Sequence, residues 1–185
     1  MIVSEMGWEG ADEGLGRVHV YLGNSTLETA ATIIEGHVDN LILGYSILGV
    51  GDANGDGYDD IAIGSSKDAT DVSGRGQAQV HYGSENGISS TANRTWSMMD
   101  QWTLFGNSLS ALGDLNGDGY DDVIVGAHQA DPNGNGSGSA YVYSGFSGAL
   151  LHQFDGAANN DNLGHSVSGA GDVNGDGYAD VDIGI

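Results

Sequence analysis

Apolar residues in this chain are gathered into short runs separated by Gly, Asp, Asn and Ser. Three of these runs, "DIAIGSS" (60–66), "DVIVGAH" (122–128) and "DVDIGI" (180–185), are rich in β-branched residues. Two others, "GQAQVHYG" (76–83) and "GSAYVYSG" (138–145), alternate and end on Gly. Runs of this length and composition, bounded by turn residues, predict β-strands. No segment repeats its apolar residues at helical spacing, so the predicted class is all-β.

The runs recur in order. "LGYSILGVGD" (43–52), "FGNSLSALGD" (105–114) and "LGHSVSGAGD" (163–172) precede three closely similar acidic loops, "GDANGDGYDD" (51–60), "GDLNGDGYDD" (113–122) and "GDVNGDGYAD" (171–180). The opening residues Asp52, Asp114 and Asp172 are spaced 62 and 58 residues apart. The N-terminal stretch matches the part of the repeat that follows the loop. Gly23 falls where Gly83 and Gly145 fall, and Ile2 aligns with Ala62, Ile124 and Asp182. Each full repeat reads as four strands: one near 108–114, a second near 121–126, a third near 139–144 and a fourth near 150–154. Counterparts of the fourth are expected at Thr32–Glu35 and Thr103–Phe105. Four strands per repeat of about 40–60 residues is the blade of a β-propeller. The predicted division is a partial blade at 1–36 (strands two to four), blades at 37–104 and 105–156, and a partial blade at 157–185 (strands one and two). Three repeats leave two open sheet edges, a liability for aggregation. Two chains closing as one six-bladed ring would remove them, so a homodimer is expected. The competing expectation is a piece of a longer propeller.

Within each loop, oxygen-bearing side chains fall at positions 1, 3, 5 and 9: Asp52, Asn54, Asp56 and Asp60; Asp114, Asn116, Asp118 and Asp122; Asp172, Asn174, Asp176 and Asp180. Tyr58, Tyr120 and Tyr178 at position 7 can add a backbone carbonyl. This is a donor set for a hard cation that takes six to eight oxygens, and it predicts three Ca²⁺ per chain. An EF-hand would need Glu at position 12, where this chain has Ile63, Val125 and Ile183. Asp59 and Asp121, at position 8, are expected to be exposed rather than ligating.

Composition narrows the function classes. With 26 acidic and 4 basic residues the net charge is −22, which excludes nucleic acid and anionic membrane surfaces as partners. Lys67 is the sole lysine, and Arg17, Arg75 and Arg94 are too few to define an anion site. Without cysteine there is no disulfide or thiolate chemistry. No stretch is long and apolar enough for membrane insertion, and the N-terminus shows no signal peptide. His19, His37, His81, His128, His152 and His165 are scattered along the chain, and no nucleophile–base–acid set is evident. Trp8, Trp96 and Trp102 occupy unlike repeat positions, which favours packing between blades over repeated sugar pockets.

Phe105-Gly106, the loop from Asp114 to Asp122, and Gly126-Ala127 together resemble the FG-GAP repeat of integrin α-subunit propellers. Leu43-Gly44, Leu163-Gly164 and Gly64-Ser65 depart from the signature. The resemblance implies a propeller with calcium in the hairpin between the first two strands of a blade. It also implies a non-catalytic scaffold for protein binding, adhesion or assembly, extracellular or at the cell surface, with a protein or glycan ligand. Two alternatives are a lectin-like carbohydrate-binding propeller and an accessory propeller fragment of a secreted hydrolase.

Overall fold

The structure, a computed structural model, describes residues 1–7, 15–23, 31–36, 42–66, 76–98 and 102–185. Trp8, His37, Lys67 and Arg75 lie outside them. The described residues form thirteen strands and no helix, so none is long and apolar enough to cross a membrane as a helix.

The strands make four antiparallel sheets in chain order. The first holds β1 (Ile2–Glu5), β2 (Arg17–Val20) and β3 (Thr32–Glu35). The second holds β4 (Ile42–Gly51), β5 (Asp60–Ser66), β6 (Gln77–His81) and β7 (Arg94–Ser97). The third holds β8 (Leu109–Gly113), β9 (Asp122–Ala127), β10 (Ser139–Tyr143) and β11 (Leu150–Asp155). The fourth is β12 (Ser166–Gly171) with β13 (Asp180–Gly184). The strands of each sheet pair with their neighbours in sequence, as in meandering blades.

Registers repeat from sheet to sheet. Ile2 pairs with Val20, Ala62 with Val80 and Ile124 with Val142, so the sequence alignment of Ile2, Ala62 and Ile124 is also a structural one. One strand differs from expectation. The fourth strand of the second sheet is Arg94–Ser97, and Thr103–Phe105 is instead a connection that leads into the third sheet. Trp96 explains the choice. It is the one large apolar residue of "RTWS", it is buried, and it stacks on Tyr143 of the third sheet at 4.7 Å. Its indole N–H donates to Gly148 O at 3.0 Å.

The core is a stack of interfaces between sheets. Val18, Val20 and Ile34 of the first sheet meet Leu43, Ile61 and Ile63 of the second. Val50, Ala62, Val80 and Trp96 on the opposite face of the second meet Phe105, Val123, Val125 and Tyr141. Leu112, Ile124, Ala140 and Val142 then meet Val167, Val181 and Ile183 of the fourth. Successive residues of β5 and β9 thus face different neighbouring sheets. That is why "DIAI" and "DVIV" read as continuous apolar runs rather than alternating ones. In β13 the alternation returns, because Asp182 occupies the face that Ala62 and Ile124 give to a following sheet; it is exposed.

Candidate metal centre

Each acidic loop joins the first and second strands of a sheet, and the three loops share one hydrogen-bond pattern. In the first, Asp52 Oδ1 accepts from Gly55 N (2.7 Å) and Asp56 N (3.0 Å), while Oδ2 accepts from Gly57 N (2.9 Å). Asn54 Oδ1 accepts from Asp56 N (2.8 Å), and Asn54 Nδ2 donates to Asp56 Oδ2 (3.0 Å). Asp56 Oδ1 accepts from Tyr58 N (3.0 Å). The same bonds recur around Asp114, Asn116 and Asp118, and again around Asp172, Asn174 and Asp176, within about 0.1 Å. The winding needs left-handed backbone at position 4, where Gly55, Gly117 and Gly175 have φ of 78°, 77° and 78°.

Position 9 sits beneath the loop. Asp60 is fully buried and accepts from Ala53 N (3.0 Å) and Gly83 N (2.7 Å). Asp122, also fully buried, accepts from Leu115 N (3.0 Å) and Gly145 N (3.3 Å). Gly83 and Gly145 were visible in the sequence as a recurring position, but not as amide donors to the loop acid. Burial pushes both carboxyls up to about 6 against the opposing pull of these amides; Asp56 and Asp52 add repulsion at Asp60, and Asp118 at Asp122. Asp180 is only half-buried and accepts from Val173 N (2.8 Å). Asp172, fully exposed, is held below the usual carboxylate range chiefly by the Gly177 amide.

The loop acids have no described basic side chain beside them; the Arg17–Glu5 (2.7 Å) and His19–Glu5 (3.3 Å) pairs lie on the first sheet. Among the described residues no three acidic or histidine side chains converge on one point; the carboxylates turn toward backbone amides of their own loop and, at position 9, also of Gly83 and Gly145. Any cation held here would therefore draw on the mixed set: carboxylates at 1, 5 and 9, the Asn amide oxygen at 3 and the Tyr carbonyl at 7. All are oxygens, with no nitrogen or sulfur, which fits a hard cation. Oδ1 of Asp52, Asp114 and Asp172 accepts two hydrogen bonds, but Oδ2 of each accepts one and so keeps a lone pair.

Two contacts join one loop to the next, and the sequence reading missed both. The Tyr120 ring lies against Gly55 of the preceding loop and stacks on Phe146 at 4.3 Å. Tyr178 takes the equivalent place against Gly117. Asp121, expected to be exposed, is half-buried with its carboxylate against Gly51 and its pKa raised by desolvation. Asp59 is exposed. The available signal was the repetition of Tyr itself, since a carbonyl donor needs no aromatic ring.

Connections between sheets also repeat. Ser46 Oγ donates to Gly106 O (2.9 Å) and Ser108 Oγ to Gly164 O (2.8 Å). Gly106 N donates to Gly126 O (2.9 Å), which bonds the Phe105-Gly106 segment to the Gly126-Ala127 segment. The sequence model of the FG-GAP repeat family matches residues 44–81 and 105–143, spans that include these segments and the first two loops. The chain carries FG-GAP repeats. Their two signature ends are thus hydrogen-bonded to each other, with Phe105 fully buried between sheets. In the preceding FG-GAP repeat Leu43 fills the Phe position and is also buried.

The chain is similar to integrin alpha pat-2 of Caenorhabditis briggsae, at 35% identity over 159 residues, 74% of this chain and 13% of that protein. It is 34% identical to integrin alpha-5 of Xenopus laevis over 128 residues, 66% of the chain and 12% of the relative. Integrin alpha-PS3 of Drosophila melanogaster is 31% identical over 151 residues, 76% of the chain and 13% of the relative. The FG-GAP chain thus spans about 13% of the length of such relatives.

The described histidines do not gather with the loops. His81 is buried between Ser89 O (3.0 Å) and Gln79 Oε1 (3.2 Å), and burial lowers its pKa. His128 contacts His165 edge-on at 5.0 Å. Trp102 is 44% exposed.

Proposed function

We propose that this chain is a calcium-stabilised propeller unit that serves as a scaffold for adhesion or assembly, outside the cell, without catalysis of its own. The carrying observation is the loop electrostatics. Asp60 and Asp122 are buried carboxylates beside further carboxylates, with no cationic side chain among the described residues to balance them. The ligand set is Asp52, Asn54, Asp56, Tyr58 O and Asp60, with the corresponding fives at 114–122 and 172–180, giving three Ca²⁺ per chain. Bound calcium would neutralise these acids and fix the turns at one end of the second, third and fourth sheets. The similarity to integrin alpha chains supports an adhesive role, and millimolar extracellular calcium suits loops of moderate affinity.

Calcium titration followed by thermal melting tests this. One site contributes about 2.7 kcal/mol when calcium is a hundredfold above Kd. The midpoint is expected to rise with calcium, and Asp118→Ala to remove part of the rise while changing little in chelator. Identical melting in calcium and chelator would overturn the reading.

We further propose blade limits of 1–36, 37–104, 105–156 and 157–185, and closure of two copies into a six-bladed ring. Among the described residues the first sheet holds no strand before β1, and the fourth holds only the first two strands of a blade. One copy's β12 would complete the other's first sheet. Of the two competing second strands, β1 would stay, since Ile2 packs against the second sheet whereas β13 offers Asp182. Solution mass in calcium decides: a well-folded monomer at micromolar concentration would end the ring proposal and leave the calcium reading untouched.

A further inference from the structure

The third acidic loop lacks partners that the other two possess. Asp60 and Asp122 each accept from a second amide, that of Gly83 or Gly145. These glycines stand three residues beyond Val80 and Val142, in the strands that pair with β5 and β9. Asp180 accepts from Val173 N, and among the described residues the fourth sheet has no third strand to bring a second amide. The outward side of the loop is bare as well. Tyr120 covers Gly55, Tyr178 covers Gly117, and the Asp121 carboxylate reaches Gly51. At Gly171 and Gly175 no described residue comes within 4 Å of the Cβ position.

The first two sheets carry the matching groups. Gly23 stands three residues beyond Val20, which pairs with Ile2 as Val80 pairs with Ala62. None of Gly23, Gly83 and Gly145 has a positive φ, so backbone conformation does not demand glycine at any of them. Close approach demands it at two: a Cβ would collide with Asp59 O at Gly83 and with Asp121 O at Gly145. Gly23 is exposed, with no described residue within 4 Å of its Cβ position. It is a glycine without its loop, and 172–180 is a loop without its glycine. Tyr58 and Asp59, the equivalents of Tyr120 and Asp121, are exposed.

The first and fourth sheets each pack on a single neighbour in the stack, the second and the third respectively. The match is therefore made between two copies. We propose that the third metal centre is assembled in trans: Gly23 of a second copy donates its N–H to Asp180, and Tyr58 of that copy covers Gly175. Two such junctions, related by a two-fold axis, make the pair. The inference rests on the ring and the calcium sites proposed above, and adds the residues that tie one to the other. Asp182 is the repeat equivalent of Ile2, so the loop through Asp180 stays in place when β1 displaces β13. Two chains of charge −22 repel, and a divalent cation in the loop offsets that repulsion where they meet. Calcium at 172–180 and association of the copies are then one linked equilibrium, each strengthening the other.

The test is sedimentation equilibrium of the full chain at micromolar concentrations, in millimolar calcium and in chelator, beside thermal melting. The dimer is expected to form in calcium and to dissociate in chelator. Gly23→Ala places a Cβ against the incoming loop at both junctions. It is expected to weaken the calcium dimer by about tenfold or more and to leave the melting midpoint in chelator unchanged, since the copies are then apart. Should Gly23→Ala lower that midpoint, Tyr58→Ser decides: it removes the exposed ring, keeps the backbone carbonyl, and should weaken the dimer in the same way. A dimer that both variants leave intact would overturn the trans site and spare the ring. A dimer equally tight in calcium and chelator would overturn the linkage. A folded monomer in calcium would overturn ring and trans site together, and melting indifferent to calcium would overturn the calcium reading and this inference with it.

Discussion

Asp122 and Asp180 occupy the same loop position in different surroundings, so the same substitution has different consequences. Asp122 is fully buried and receives two amides; Asp180 is half-buried and receives one. An orphaned buried amide costs about 1–3 kcal/mol. In chelator, Asp122→Ala is therefore expected to lower the melting midpoint clearly more than Asp180→Ala, measured by differential scanning calorimetry. Equal losses would mean that burial of Asp122 carries no weight. His81 supplies a pH dependence. Burial lowers its folded pKa below the unfolded value of 6.5, so the unfolded chain takes up the proton first as pH falls. The stability His81 contributes is full above about 6.5 and declines as pH falls from there toward its folded pKa. The advantage of the native chain over His81→Gln should accordingly shrink between pH 7 and pH 5.

At the scale of elements, the loops are coupled to one another. Gly55 and Gly175 share a φ of 78°, but the Tyr120 ring lies on Gly55 whereas no described residue comes within 4 Å of the Cβ position at Gly175. Alanine at either position pays a left-handed backbone penalty of about 1–2 kcal/mol. Gly55→Ala must also displace Tyr120, so it is expected to be the more destabilising of the two in urea unfolding; the excess measures the contact between loops. That contact was not legible in the sequence, because it joins residues one repeat apart that no local pattern relates. The loops themselves were legible, since oxygen side chains at fixed spacing need only local geometry. The second and third strands were also legible as apolar or alternating runs. The fourth strand of the second sheet was not, since three of the four residues of "RTWS" are polar and its identity rests on Trp96 packing against the next sheet.

For the whole molecule, stacked sheets make each interface depend on the next. Asp182 puts a carboxylate where Ala62 and Ile124 put apolar groups toward a following sheet. Asp182→Val would put an apolar side chain on the outer face of the fourth sheet, opposite the face where Val181 and Ile183 pack on the third sheet, and sedimentation velocity is expected to show increased self-association. An unchanged sedimentation profile would show that the carboxylate does not protect that face.

All six residues of β9 are buried, and the strand is paired on both edges, whereas β13 has only half-buried or exposed residues and pairs with β12 alone. Backbone amides open to solvent by local or by global unfolding, whichever requires less free energy. The amides of β9 have no local route, so their deuterium uptake should follow global unfolding and be the slowest in the chain. Those of β13 should exchange early by fraying. Time-resolved uptake would then rank the strands from the middle of the stack outward, giving each sheet its own clock.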